Sequence, residues 1–239
     1  LTLWEDTAAK SPGKARPHSN LGMEYGQRGK IDKAEAEFLK AISIKPDYSQ
    51  AHNNLGMVYD QRGELDKAGA EFKLVIESDP TYDDAYNNLG VIYAKRKQLD
   101  SAEAAFRRSL ELNPNYSNAH YNLGILCQSR GQLDEAESEF KRAIELRPDY
   151  VDALYYLGMN YVMKEQIADA VEPLSKSIQL SPGNYIAHNN LGNVFLNLSR
   201  YDKALEQYQA ALRINPDFQE ARANIQLLQN MKSGTGAGR

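Results

Sequence analysis

Apolar and small residues return along this chain in two alternating stripes. His52, Leu55, Gly56 and Tyr59 fall at i, i+3, i+4 and i+7, one face of an amphipathic helix. Ala34, Phe38, Ala41 and Ile42 fall at i, i+4, i+7 and i+8, the face of a second helix. We call the two patterns helix A and helix B. Asn-Leu-Gly closes part of helix A at Gly22, Gly56, Gly90, Gly124 and Gly192, and Tyr-Leu-Gly does so at Gly158. Pro12, Pro46, Pro80, Pro114, Pro148, Pro182 and Pro216 keep the same step of 34 residues, with nothing inserted or deleted over six units. A fixed period of that length signals a stacked array of helix pairs.

The residues between the stripes punctuate them. Gly29, Gly63 and Gly131 stand where a left-handed residue would close helix A. Asp32, Asp66, Asp100, Asp134 and Asp202 follow as N-cap candidates for helix B, and Asp32 with Glu35, Asp100 with Glu103 and Asp134 with Glu137 have capping-box spacing. The proline then ends helix B, because it has no amide to continue the ladder and restricts the residue before it.

With L-G followed by Tyr, Ala, Phe, Ala and Pro at fixed offsets, the chain resembles the tetratricopeptide repeat family. The resemblance covers residues 15–218 as six repeats, 15–48, 49–82, 83–116, 117–150, 151–184 and 185–218. It implies an all-α fold, a right-handed α-solenoid superhelix of helix-turn-helix units. Small residues such as Gly22 and Ala34 would let helices A and B approach closely, and Tyr25, Phe38 and their equivalents would fill the layer. Residues 219–232 read as a capping helix, with Gln226 in the glycine slot, and 233–239 as a disordered tail. On the same step, Trp4 takes the slot of Phe38, Phe72, Phe106 and Phe140, so residues 1–14 read as the second helix of a truncated repeat. The chain is therefore expected to be an excised piece whose context lies upstream.

Composition narrows the function. An apolar share of 42% over 239 residues can build a core, and 28 Lys plus Arg against 32 Asp plus Glu leave no basic footprint for nucleic acid. The longest apolar stretches, such as 194–198, fall far short of the roughly 20 residues that span a bilayer, so no direct membrane insertion is expected. Cys127 is alone, which excludes an intrachain disulfide, and it occupies the Tyr slot of its repeat as a buried thiol would. His18, His52, His120 and His188 share one repeat position; imidazoles on successive helix layers stand too far apart to converge on one metal, so they read as packing residues and no metal or cofactor is expected. No nucleophile, base or phosphate-binding loop suggests an enzyme.

The candidate binding residues are asparagines. Asn20, Asn54, Asn88, Asn122 and Asn190 precede the Leu-Gly pair, and Asn224 is equivalent in the capping helix. In the family this position faces the concave side, so a ladder of amides is implied there, each with a donor and an acceptor for an extended peptide. It resembles the asparagine ladder in the repeat domain of O-linked N-acetylglucosamine transferase. At about 1 kcal/mol net per hydrogen bond, several amides would give sequence-tolerant affinity. Plain solvated asparagine is the other reading, and the residues leave both open. Tyr156 breaks the ladder, and Tyr155, Tyr156, Met159 and Met163 with Tyr121 would form an apolar concave patch suited to anchoring a partner. The same repeat has Pro173 within helix B and Glu165 in place of the turn glycine, so structural irregularity competes with a ligand as the explanation. Chaperone-binding members hold a carboxylate with Lys and Arg; here the matching positions are Arg16, Asn20, Asn54, Asp84 and Asn88, and Asp84 would repel that ligand. Lys40, Glu71 and Arg107 read as a solvated convex face.

The leading expectation is a non-catalytic protein-protein interaction scaffold that binds an extended peptide or a partner helix in its concave groove. An alternative is the accessory arm of a larger membrane glycosyltransferase-like protein, because residues 1–22 resemble the junction after the last membrane helix in the mannosyltransferase-related group. In that case the arm would be extracytoplasmic and would present acceptor proteins. Self-assembly through a lightly capped end is a third reading.

Overall fold

The computed structural model describes residues 3–234, and among them every regular element is an α-helix. In chain order these are α1 (Leu3–Lys10), α2 (Ala15–Gln27), α3 (Ile31–Ile44), α4 (Ser49–Gln61), α5 (Leu65–Ser78), α6 (Asp83–Lys95) and α7 (Leu99–Leu112). Then come α8 (Ser117–Ser129), α9 (Leu133–Leu146), α10 (Val151–Met163), α11 (Val171–Leu180), α12 (Tyr185–Asn197), α13 (Tyr201–Ile214) and α14 (Gln219–Gly234). The fold is an all-α solenoid of helical repeats. It divides into two compact units, one ending at Asn122 and one beginning at Leu123, so the boundary falls inside α8. The tail expected at 233–239 lies, from residue 235 on, outside the described residues.

In the first unit α2 packs on α3, α4 on α5 and α6 on α7, and each hairpin stacks on the next through α3 with α4 and α5 with α6. Glycine makes the pairs close. A methyl group on Gly56 would stand 2.6 Å from Cε1 of Phe72, far inside van der Waals contact, and Gly22 meets Phe38 in the same way. The ring thus lies directly against bare backbone, where it is 1% exposed for Phe72. Burying such a ring contributes roughly 1.5–3 kcal/mol. The second unit repeats the device with Leu174 against Gly158 and Tyr208 against Gly192.

Several sequence expectations need correction. The aspartates expected as N-caps lie inside helix B, whose cap residues are Lys30, Glu64, Gln98, Gln132 and Arg200 with no side-chain cap bond. The chain re-enters helical conformation two residues after the turn, at Ile31 and its equivalents, so each aspartate sits in the first turn, where its charge complements the helix dipole. There Asp32 and Asp66 accept ion pairs from Arg62 and Arg96 of the following hairpin. The turn itself does not need glycine. Gly29, Gly63 and Gly131 have φ of 69°, 75° and 75°, and Lys97, Glu165 and Ser199 adopt 59°, 59° and 58° in the same slot. Glu165 therefore marks no irregular turn. Pro173 does not interrupt a helix either: α11 begins at Val171, so the proline occupies its first turn, where no amide is required. The four residues before α11 form turns instead of the helical start seen in the other hairpins.

Candidate functional site

Four of the six asparagines expected to face a ligand bond across the hairpins. Asn88 Nδ2 donates to Asn53 Oδ1 at 3.0 Å, and Asn122 Nδ2 donates to Asn87 Oδ1 at 2.9 Å. In the second unit Asn190 Nδ2 donates to the Tyr155 hydroxyl at 2.8 Å, while Asn224 Nδ2 donates to Asn189 Oδ1 and Asn193 Oδ1, both at 3.1 Å. The recurring offset is 35 residues, one repeat plus one. Each rung therefore joins a ladder asparagine to the residue just before the ladder position of the preceding hairpin. Asn20, Asn54, Asn88, Asn122, Asn190 and Asn224 are all partly exposed, so their surfaces reach solvent while the Nδ2 donors of four of them serve the fold.

The residues of the apolar patch divide in the same way. Tyr155 is a rung: its hydroxyl accepts from Asn190, its ring meets Tyr156 edge-on at 5.5 Å, and burial pushes its pKa up. Tyr156 stacks on Phe140 with centroids 6.1 Å apart, so the side chain that breaks the ladder covers the layer beneath it. Met159 is partly exposed and Met163 is 51% exposed. These four lie in the second unit, whereas Tyr121 belongs to the first. The charged surface expected on helix B holds at Lys40 and Arg107, both exposed. Glu71 departs from it, because its carboxylate lies 2.6 Å from Nδ1 of the buried His52.

A hollow of about 670 Å³ opens in the first unit along α2, α4 and α6. Met23, Met57 and Val91 give it an apolar stripe, Phe38 and Phe72 lie below, and Asn54, Asn88, Gln27 and Gln61 bring amides. Met57 is 53% exposed, and the Asn53 amide points at its sulfur from 3.9 Å. Asp60 is the one charged residue in the lining, and Lys95 Nζ closes on its two oxygens at 2.5 and 2.7 Å. The sequence reading passed over this stripe, although Met23, Met57 and Val91 recur on the same step of 34, one residue after each glycine. Among the described residues no group of three or more His, Cys, Asp or Glu is placed to hold a metal ion, and no helix is long and apolar enough to cross a membrane. Cys127 is buried.

Comparison with known proteins agrees with this architecture. Among solved structures, a chain in the crystal structure of the APC/C hetero-tetramer Cut9-Hcn1 aligns with a TM-score of 0.84 at 19% identity, over 95% of this chain. This chain spans 45% of that one. PilF of Pseudomonas aeruginosa aligns with a TM-score of 0.79 at 20% identity, over 87% of this chain and 95% of PilF. YrrB, described as a TPR protein with an unusual peptide-binding site, aligns with a TM-score of 0.56 at 26% identity, over 78% of this chain and 96% of YrrB. No curated protein sequence matches. The family described as the Cilia and flagella-associated protein 70 C-terminal domain matches residues 3–227, and with its helix pairs on a step of 34 residues the chain belongs to this tetratricopeptide repeat family.

Proposed function

We propose that this protein is a non-catalytic interaction scaffold that holds an extended peptide of a partner protein in the hollow along α2, α4 and α6. The observation that carries the reading is the exposed Met57 at the centre of a neutral, amide-bearing hollow of about 670 Å³. Exposed methionine adapts to varied side chains, and amides at its margins meet the backbone of an extended chain. The peptide-binding site described for YrrB, at 26% identity, supports a peptide as the class of ligand. Residues 15–218 would act as six repeats, with α14 capping the last. The Met159 and Met163 surface of α10 is a separate candidate in the second unit.

The test begins with peptides selected from a random displayed library on the purified protein. Their affinities are then measured by fluorescence anisotropy for the native chain, Met57→Glu and Met159→Glu. Met57→Glu should weaken binding at least tenfold with helical circular dichroism unchanged. Binding that ignores Met57→Glu but falls with Met159→Glu moves the site to α10.

A further inference from the structure

The hollow of the first unit is neutral and its lining is periodic, and both restrict what lies in it. Its one charged lining residue, Asp60, is already closed by Lys95. A charged ligand side chain would therefore give up hydration without meeting an opposite charge. A neutral ligand loses nothing of this kind.

The period comes from the helices. Met23, Met57 and Val91 occupy equivalent positions on α2, α4 and α6, and the Asn88–Asn53 bond of 3.0 Å ties α6 directly to α4. Helices packed side by side stand about 8–10 Å apart. A ligand crossing them in turn must present an apolar side chain on one face at that interval. A β-strand returns to the same face about every 6.6 Å, which drifts out of step with the second helix. A polyproline II segment returns every three residues, about 9 Å, and stays in step. An α-helix comes back after two turns, about 11 Å, but its carbonyls are already bonded within it. Gln27 and Gln61 make no side-chain hydrogen bond among the described residues and line the same hollow. Their amides suit the free carbonyls that a polyproline II backbone exposes.

We infer that the hollow takes an uncharged polyproline II segment of a partner protein, apolar at every third residue, seated with one such residue at each of Met23, Met57 and Val91. This rests on the reading of the hollow as a peptide site. The probes are fluorescein-labelled nine-residue peptides: proline-rich with leucine at every third position, the same composition with leucine at every second position, and the triplet peptide with lysine for leucine. A longer helical peptide with leucine at heptad spacing completes the set.

The triplet peptide should bind the full chain at least tenfold more tightly than the other three. Met57→Glu should abolish that binding, and Gln27→Ala and Gln61→Ala should each weaken it about threefold with circular dichroism unchanged. Equal affinity for the two leucine registers, tighter binding of the helical or lysine peptide, or indifference to Met57→Glu overturns the inference. If the triplet peptide fails while library-selected peptides still depend on Met57, the polyproline II assignment falls and the peptide site stands. If the selected peptides also ignore Met57, both fall.

Discussion

Ser19 and Asn54 stand 35 residues apart, the offset at which Asn53 bonds Asn88 and Asn87 bonds Asn122, yet Ser19 Oγ and Asn54 Nδ2 are both buried without a hydrogen-bond partner. Serine is shorter than the asparagine used at the other rungs of this unit, and the first rung is missing. A buried polar atom left unpaired costs about 1–3 kcal/mol.

Ser19→Asn should therefore restore the rung and raise the midpoint of thermal unfolding by about 2–4 °C for a gain of about 1 kcal/mol. Asn88→Ala should do the opposite, because it strips Asn53 Oδ1 of its donor and costs roughly 1–3 kcal/mol. Circular dichroism melts of both variants check this. A fall in midpoint for Ser19→Asn would show that the first hairpin lacks room for the amide.

His52 joins two hairpins, and its removal has a partner-dependent cost. Nδ1 faces Glu71 at 2.6 Å and Nε2 faces the Pro46 carbonyl at 2.8 Å. Within the chain the pairing varies together: Glu37, Glu71, Glu139 and Gln207 follow His18, His52, His120 and His188 by 19 residues, while Tyr86 and Leu154 have Ala105 and Pro173 instead. His52→Tyr and Glu71→Ala should each cost about 1–3 kcal/mol, since each strands its partner. The double variant copies the third hairpin and should cost less than the sum by about 0.5–3 kcal/mol. Additive losses in urea titrations would mean that the two side chains do not support one another.

Much of this fold was legible because hydrophobic period and close approach are local properties. Gly56 and Phe72 announce their contact by recurring together, and the step of 34 predicts the hairpins. The divide at Asn122 was not legible, since the HYNLG pattern of residues 120–124 runs through it unchanged. The asparagines show a second limit. Their spacing gave the helix face but not the distance to Asn53, Asn87 or Tyr155, so the rungs between helices were not legible beside the surface offered to a ligand. The paired asparagines at 53–54, 87–88 and 189–190 were the available signal. Met57 was missed for a different reason, because an apolar residue beside a packing glycine is read by default as core.

The three non-glycine residues in the left-handed turn store strain. Lys97, Glu165 and Ser199 hold φ near 59°, where a Cβ crowds the following carbonyl at about 1–2 kcal/mol. Glycine loses part of that advantage through its freer unfolded chain. Lys97→Gly, Glu165→Gly and Ser199→Gly should each still stabilise by about 0.5–1 kcal/mol. Gly63→Ala should destabilise by a similar amount. Unfolding midpoints in urea read the sign directly, and a loss for Lys97→Gly would show that its side chain makes up for the strain.

Glu137 gives the second unit a specific acid sensitivity. Its carboxylate accepts from Lys141 at 2.7 Å and Lys164 at 2.6 Å, and from the Tyr161 hydroxyl at 3.2 Å. Lys141 first, then Lys164, holds its pKa down to about 2 from an ordinary 4.5. Because the folded value lies below the unfolded one, the contribution is complete above pH 4.5 and drains away as pH falls toward 2. Lys164, which also pairs with Asp134 at 2.6 Å, ties α10 back to α9 through this carboxylate. Glu137→Gln should therefore cost roughly 1.5–3 kcal/mol at neutral pH, the range of charge-assisted hydrogen bonds, and almost nothing near pH 2. Stability measured by urea unfolding between pH 7 and pH 2 should fall less steeply in the variant than in the native chain. Parallel slopes would show that Glu137 is not held in this pair in solution.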